Sequence, residues 1–146
     1  MIEDVNSNNI DDVLPLIRAY QEFYNIQNID DINNKEFFSR FGLHSSEGCL
    51  FAYKSDNQYV AFATVYFSYA SSIISKIAVM NDLYTLEAYR KKGIAKELIQ
   101  HCEQYSKSMQ AKRLQWLTAK DNQAAQSLYH ALGAQQSSWE FFTYSQ

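Results

Sequence analysis

Apolar and polar positions change period several times along the chain, and each change predicts an element. "IEDV" at residues 2–5 is short and half apolar, as a brief strand is. From Asn9, a capping residue type, Ile10, Val13, Leu14, Ile17, Tyr20 and Tyr24 recur at helical spacing. Pro15 falls inside that pattern and predicts a break or kink, because it lacks an amide and crowds the preceding turn. "NNKEFFSRF" predicts a short second helix over residues 33–41, before the loop "GLHSSEG". "GCLFAYK" and "QYVAFATVYF" read as strands joined by polar "SDNQ", the pattern of a hairpin. "SYASSIIS" reads as a polar, mobile link, and "KIAVMNDLYTL" resumes an extended apolar run.

The second half continues the alternation. Ile94, Leu98, Cys102, Tyr105 and Met109 form one apolar stripe, with Ala95 and Ile99 beside it, predicting a helix over residues 93–109. "KRLQWLTA" reads as a strand, and "NQAAQSLYHALGA" as a helix with Asn122 near its start. Gly133 is placed to end that helix at the left-handed position. "WEFFTYS" predicts a final strand. The order is β-α-α-β-β-β-α-β-α-β, an α/β mixture (an α+β mixed sheet) with neighbouring hairpin strands. No repeat, low-complexity segment or linker divides it, so residues 1–146 are expected to form one domain.

Composition narrows the class. Apolar residues make up 47% and charged residues 20%, the balance of a soluble globular protein. No run approaches a membrane span, and "MIEDVNSNN" lacks the basic and apolar regions of a secretory signal. Cys49 and Cys102 are isolated, which points to reduced core thiols and a cytoplasmic location. His44, His101 and His130 make no metal-ligand spacing, so no metal is expected. The net charge of −3 conceals an asymmetry. Residues 1–75 hold four Lys/Arg against ten Asp/Glu (−6), whereas residues 76–146 hold nine against six (+3). The basic half suits an anion and the acidic half a cationic ligand; ordinary solvated faces are the alternative. The pI near 5.5 disfavours nucleic acid.

Two stretches bear on chemistry. In "YTLEAYRKKGIAKELI", Arg90, Lys91 and Lys92 precede Gly93 at a helix start, the unfavourable end of the macrodipole for cations. Unpaired amides converge there, and such a terminus binds phosphate readily. A basic surface turn with a glycine at its bend is the alternative. In "DNQAAQSLYHALGA", Asn122, Ala125 and Tyr129 share a helix face. Tyr129 on that face is either core packing or a phenol held at the end of a groove as a proton donor.

Taken together and in order, these stretches resemble the GNAT family of N-acetyltransferases, which transfer acetyl from acetyl-CoA to amines. "NDLYTLEAYRKKGIAKELI" is similar to the family's motif A and "DNQAAQSLYHALGA" to its motif B; "LIRAYQEFY" and "WEFFTYS" also fit. Among the family's branches, the polyamine, histone/polyamine and D-amino-acid acetyltransferases are the nearest in character.

The resemblance implies a fold with splayed central strands and the pantetheine arm of acetyl-CoA lying along Leu83, Tyr84 and Thr85. It implies pyrophosphate binding by the turn of Arg90, Lys91, Lys92, Gly93, Ile94, Ala95 and Lys96, a cofactor contact at Asn122, and Tyr129 as general acid toward the departing thiolate. For the base, Glu22, Asp82 and a water chain stay open, since Asn81 stands where some relatives carry a glutamate. Glu87 replaces a common proline. Lys91 replaces a frequent glycine, which a negative φ tolerates. The implied acceptor is a small-molecule amine entering past Tyr20, Glu22, Phe23, Tyr24, Tyr66 and Tyr69, where aromatics beside a carboxylate suit an ammonium. A protein lysine acceptor, or a CoA-binding sensor without turnover, is the alternative. The aromatic C-terminal strand resembles one by which relatives dimerise, so a homodimer is expected.

Overall fold

Residues 1–146 are described by a computed structural model. Strand β1 (Ile2–Asp4) leads into helix α1 (Ile10–Phe23), followed by α2 (Asp31–Phe38). Helix α1 runs through Pro15 without interruption, contrary to the break that proline predicts. Pro15 lies on the exposed side near the helix start, where its missing amide forfeits only the bond to Asp11. Buried Val13, Leu16 and Ile17 hold the helix against the sheet, with Leu16 rather than Leu14 facing inward. Helix α2 starts earlier than its apolar pattern suggests, because the Asp30 carboxylate accepts from the amides of Ile32 and Asn33.

Strands β2 (Gly48–Ser55) and β3 (Gln58–Ala70) form the expected hairpin. Asp56 and Asn57, at φ 51° and 62°, supply its two-residue turn. The expected mobile link is absent. Strand β3 extends to Ala70, a single 3-10 turn covers Ser71–Ile73, and β4 (Ser75–Thr85) begins at once. Cross-strand pairing from Tyr69↔Lys76 to Ala70↔Ser75 overrides the polar composition of "SYASSIIS". Helix α3 (Ile94–Ser108), strand β5 (Leu114–Gln115) and helix α4 (Gln123–Ala131) complete the order.

The five strands stand in the order β1-β2-β3-β4-β5, antiparallel except for the parallel β4–β5 pair. Both faces are covered, so β2 and β3 read as continuous apolar runs. On one face α1 packs with Val5, Phe38, Leu50 and Phe62; on the other α3 packs with Phe51, Ala63, Val65 and Met80. Two expected strands are corrected. Only Leu114 and Gln115 of "KRLQWLTA" pair with β4, because the chain leaves the sheet at Trp116. Residues 139–145 form no strand; a strand needs another strand to pair with, and residues 135–146 pair with none within the chain.

Candidate active site

The site begins with an irregularity in β4. Thr64 pairs with Asp82 and Val65 with Met80, so Asn81 is an extra residue, a bulge. Before it, the Ala78 amide donates to Arg113 and the Lys76 carbonyl accepts from Lys112, so even-numbered residues face β5. Past the bulge the parity is reversed. The Leu86 amide donates to Val60 of β3 at 2.9 Å. By ladder alternation Tyr84 and Asp82 also face β3, while the peptide groups of Leu83 and Thr85 face away. Arg90 Nε donating to the Thr85 carbonyl at 2.9 Å fits that direction. The β4–β5 pairing ends at Val79↔Gln115, so Leu83 and Thr85 face a gap where the two strands have parted.

Beyond β4 the chain passes through a 3-10 turn, Glu87–Tyr89, to α3. Gly93 caps that helix at φ 82°, and no side chain serves as cap. The amides from Lys91 to Lys96 have no hydrogen-bond partner in the chain; the first amide of α3 bonded back is that of Glu97, to Gly93. A Cβ placed on Gly93 meets nothing within 4 Å, so glycine serves the backbone angle and leaves space above the turn. Lys91 has φ 61°, in the left-handed region, rather than the negative φ that a lysine favours. The turn retains the geometry of the glycine that is common there, at a cost of about 1–2 kcal/mol for a residue with a Cβ. Lys91, Lys92 and Lys96 are exposed around it, whereas the Arg90 guanidinium folds back over the rings of Phe23 and Tyr84, at 5.4 and 5.8 Å.

Asn122 is the N-cap of α4; its Oδ1 accepts from the Ala125 amide at 3.1 Å. At the other end Gly133, at φ 85°, lets its own amide bond to His130 and that of Ala134 to Tyr129. This cap fixes the turn that carries Tyr129. The Tyr129 ring is half-buried and meets Trp116 edge-to-face at 5.2 Å. Burial pushes its phenol above the ordinary tyrosine range and nearby Tyr24 adds to the rise, while Thr118 offsets part of it. Tyr24 closes α1, which packs on one face of the sheet, and Tyr129 lies in α4, on the other.

The carboxylates separate clearly. Asp82 is 8% exposed, and accepts from the Tyr20 hydroxyl, the Thr64 hydroxyl and, at 3.2 Å, the side-chain Nδ2 of Asn81. Glu22 is exposed, and its carboxylate has no hydrogen bond or ion pair within the chain. The aromatics also divide. Tyr20 packs edge-on against Tyr24, Phe62 and Tyr84, and Phe23 against Tyr24, which gathers them at the end of α1 beside β4. Tyr66 packs on Phe41 at 4.7 Å, and burial raises its phenol to about 12. Tyr69 pairs with Lys76, five residues along β3 from Thr64, or roughly 16 Å at about 3.3 Å per residue. It stands apart from the others. Thr64 and Trp116 were not foreseen. Thr64 left a signal, a hydroxyl inside the buried run "VAFATV", which requires a partner. Trp116 left none, because its role depends on where β5 leaves the sheet.

The comparisons bear on the family and the fold. The acetyltransferase (GNAT) family model matches residues 13–134. The uncharacterized N-acetyltransferase YhfO of Bacillus subtilis (strain 168) is 27% identical over 121 residues, 83% of this chain and 80% of that protein. Among solved structures, that of a probable acetyltransferase shares 24% identity at TM-score 0.85, covering 99% of this chain and 97% of that one. The aminoglycoside N-acetyltransferase AAC(6')-Iy in complex with CoA shares 16% identity at TM-score 0.77, covering 100% and 99%. These likenesses at low identity bear on the fold. The match over residues 13–134 settles the family: the chain belongs to the GNAT acetyltransferases and is an N-acetyltransferase enzyme.

Proposed function

We propose that this chain transfers acetyl from acetyl-CoA to the primary amine of a small molecule such as a polyamine or an amino acid. The observation that carries this reading is the continuous path from the outward peptide groups of Leu83 and Thr85 to the unpartnered amides of residues 91–96. An extended amide-bearing arm suits the first part and a pyrophosphate the second. The residues present fit acetyl-CoA, which supplies the acetyl thioester. Leu83 and Thr85, whose peptide groups face the gap, would hold the arm, with Tyr84, whose peptide faces β3, between them; Arg90, Lys91, Lys92, Gly93, Ile94, Ala95 and Lys96 would form the phosphate turn. Asn122 would contact the cofactor through its side-chain NH2, since its oxygen is taken up in capping α4.

Each remaining role falls to a placed group. The Leu83 amide points into the gap, where a backbone N–H stabilises charge developing on an oxygen. Tyr129 holds its proton at neutral pH, as its upward shift requires, and can deliver it to a departing thiolate. Asp82, buried one residue from Leu83, is the carboxylate that serves the acceptor amine, directly or through Tyr20 or water; exposed Glu22 is not. Tyr20, Phe23 and Tyr24 supply the aromatic rim for a cation. The aminoglycoside acetyltransferase among the structural neighbours acts on a small amine, which accords with that rim. The same reading takes residues 1–146 as one domain, cytoplasmic, and a homodimer.

Gly93 gives the test of the cofactor path. Gly93→Trp should abolish acetyl-CoA binding by calorimetry, whereas Gly93→Ala, with the same backbone strain and little bulk, should keep measurable affinity. Equal affinity for both variants would remove the phosphate turn from the proposal.

A further inference from the structure

We propose that the Tyr20 hydroxyl takes the proton of the acceptor amine and passes its own to Asp82, with Thr64 as a positioning residue behind the carboxylate. This rests on the small-amine reading above and selects one of its routes to Asp82.

The donors and acceptors around Asp82 decide the route. Its Oδ1 accepts from the Tyr20 hydroxyl, whereas Oδ2 accepts from both the Thr64 hydroxyl and Asn81 Nδ2. Oδ2 is thereby saturated, and the residue is 8% exposed. A proton reaching Asp82 therefore goes to Oδ1, the oxygen that Tyr20 covers. Tyr20 is half-buried, and no group of the chain donates to its oxygen. A hydroxyl can accept one N–H while donating its own proton elsewhere. Tyr20 is thus the open end of a path whose closed end is Asp82.

Three elements hold the path in register. The last turn of α1 carries Tyr20, whose ring stands edge-on to Phe62 and Tyr84 at 5.3 and 5.7 Å. The Asn81 bulge sets Asp82 opposite Thr64 of β3. The next residue is Leu83, whose amide is the proposed donor to the developing oxyanion, so the two functions sit on adjacent residues. Thr64 has a single O–H to give, and Oδ2 receives it.

The transfer balances. The neutral amine nitrogen bonds to the acetyl carbon while the carbon–sulfur bond breaks, and Tyr129 gives its proton to the sulfur. The surplus proton on nitrogen passes to the Tyr20 oxygen as the Tyr20 proton passes to Oδ1. Tyr20 ends unchanged, and Asp82 holds the proton until water removes it. No free Tyr20 phenolate is required. That suits a phenol which burial, and then its bond to the Asp82 carboxylate, push above the ordinary tyrosine range.

Tyr20→Phe keeps the ring and removes the relay, so kcat should fall about 100-fold while acetyl-CoA affinity by calorimetry stays within about twofold. Adding Asp82→Asn to it should cost no more than about threefold further, because residues on one path are lost together. Thr64→Val should lower kcat about tenfold, and Thr64→Ser should restore it. In the free protein, tyrosinate absorbance should show one phenol ionising at lower pH in Asp82→Asn, and Tyr20→Phe should remove that phenol. Tyr24 and Tyr66, the other titratable groups facing Tyr20, are retained in every variant. A Tyr20→Phe rate within about threefold of wild type, beside a slow Asp82→Asn, overturns the relay and leaves the small-amine reading standing. Losses that multiply in the double variant, to about 10,000-fold, overturn the shared path. Wild-type kcat in Thr64→Val removes Thr64 from the proposal. Absence of CoA release by the wild-type protein with every small amine overturns that reading and the relay together.

Discussion

Arg90 Nε donates to the main-chain carbonyl of Thr85 at 2.9 Å, and its guanidinium lies over Phe23 and Tyr84. One side chain therefore ties the turn before α3 to both β4 and the end of α1. Its charge is directed at the strand and the aromatics, while the exposed cations Lys91, Lys92 and Lys96 surround the free amides.

Arg90 should act by holding the turn in shape. Arg90→Ala is expected to weaken acetyl-CoA binding about tenfold, or about 1.4 kcal/mol. Arg90→Lys should not restore it, because lysine lacks the planar fork that bonds and stacks at once. Calorimetry checks this; wild-type affinity in the lysine variant would contradict it.

Lys91 separates backbone strain from charge. With φ at 61°, Lys91→Gly should stabilise the free protein by about 1 kcal/mol, raising Tm by about 2–5 °C. The same variant loses a cation beside the turn, so the additional Tm gained on adding acetyl-CoA should shrink. A lower Tm without ligand would show that the lysine side chain, not its backbone, governs this position.

Much of this architecture was legible in the sequence, and the exceptions share a cause. The stripe of Ile94, Leu98, Cys102 and Tyr105 appears as buried because a helix repeats locally. Gly133 ends α4 as expected, because only its own φ matters. Pro15 misled because burial of its neighbours outweighs a local penalty. The Asn81 bulge, which turns Leu83 and Thr85 toward the gap, depends on the register with β3 and leaves no local pattern. The turn before α3 and the stretch carrying Tyr129 were visible as motifs; the Tyr20–Asp82–Thr64 cluster was not, since it joins α1, β4 and β3.

The catalytic assignment predicts a split among side chains. Tyr129→Phe should lower kcat by roughly 100-fold or more while leaving acetyl-CoA affinity within about twofold. Because burial raises that phenol, the wild-type pH–rate profile should show no falling limb from it below about pH 10. Asp82→Asn, nearly isosteric, should also lower kcat on the order of 100-fold, whereas Glu22→Gln should change it less than about twofold. The reverse ranking of the two carboxylates would refute the choice of Asp82.

Alkaline stability should reflect the buried thiols. Burial raises Cys49 and Cys102 from 9.0 to about 12. The folded state keeps these protons after the unfolded chain has released them, so the stabilisation is present below pH 9 and is lost as pH rises toward 12. The slope is about −1.4 kcal/mol per pH unit for each thiol over that window. Urea unfolding between pH 8 and 11 should show it, and Cys102→Ala should reduce the slope even though the variant is less stable overall. An identical slope would exclude the thiols as its source.

The central claim is transfer to a small amine, and thiol release from acetyl-CoA measures it most directly. Purified protein should release free CoA thiol in proportion to added amine from a panel of polyamines, amino acids and lysine peptides, with the highest kcat/KM on a small amine and loss of rate in Tyr129→Phe. Tight acetyl-CoA binding without release for any amine, or release with lysine peptides alone, would contradict it.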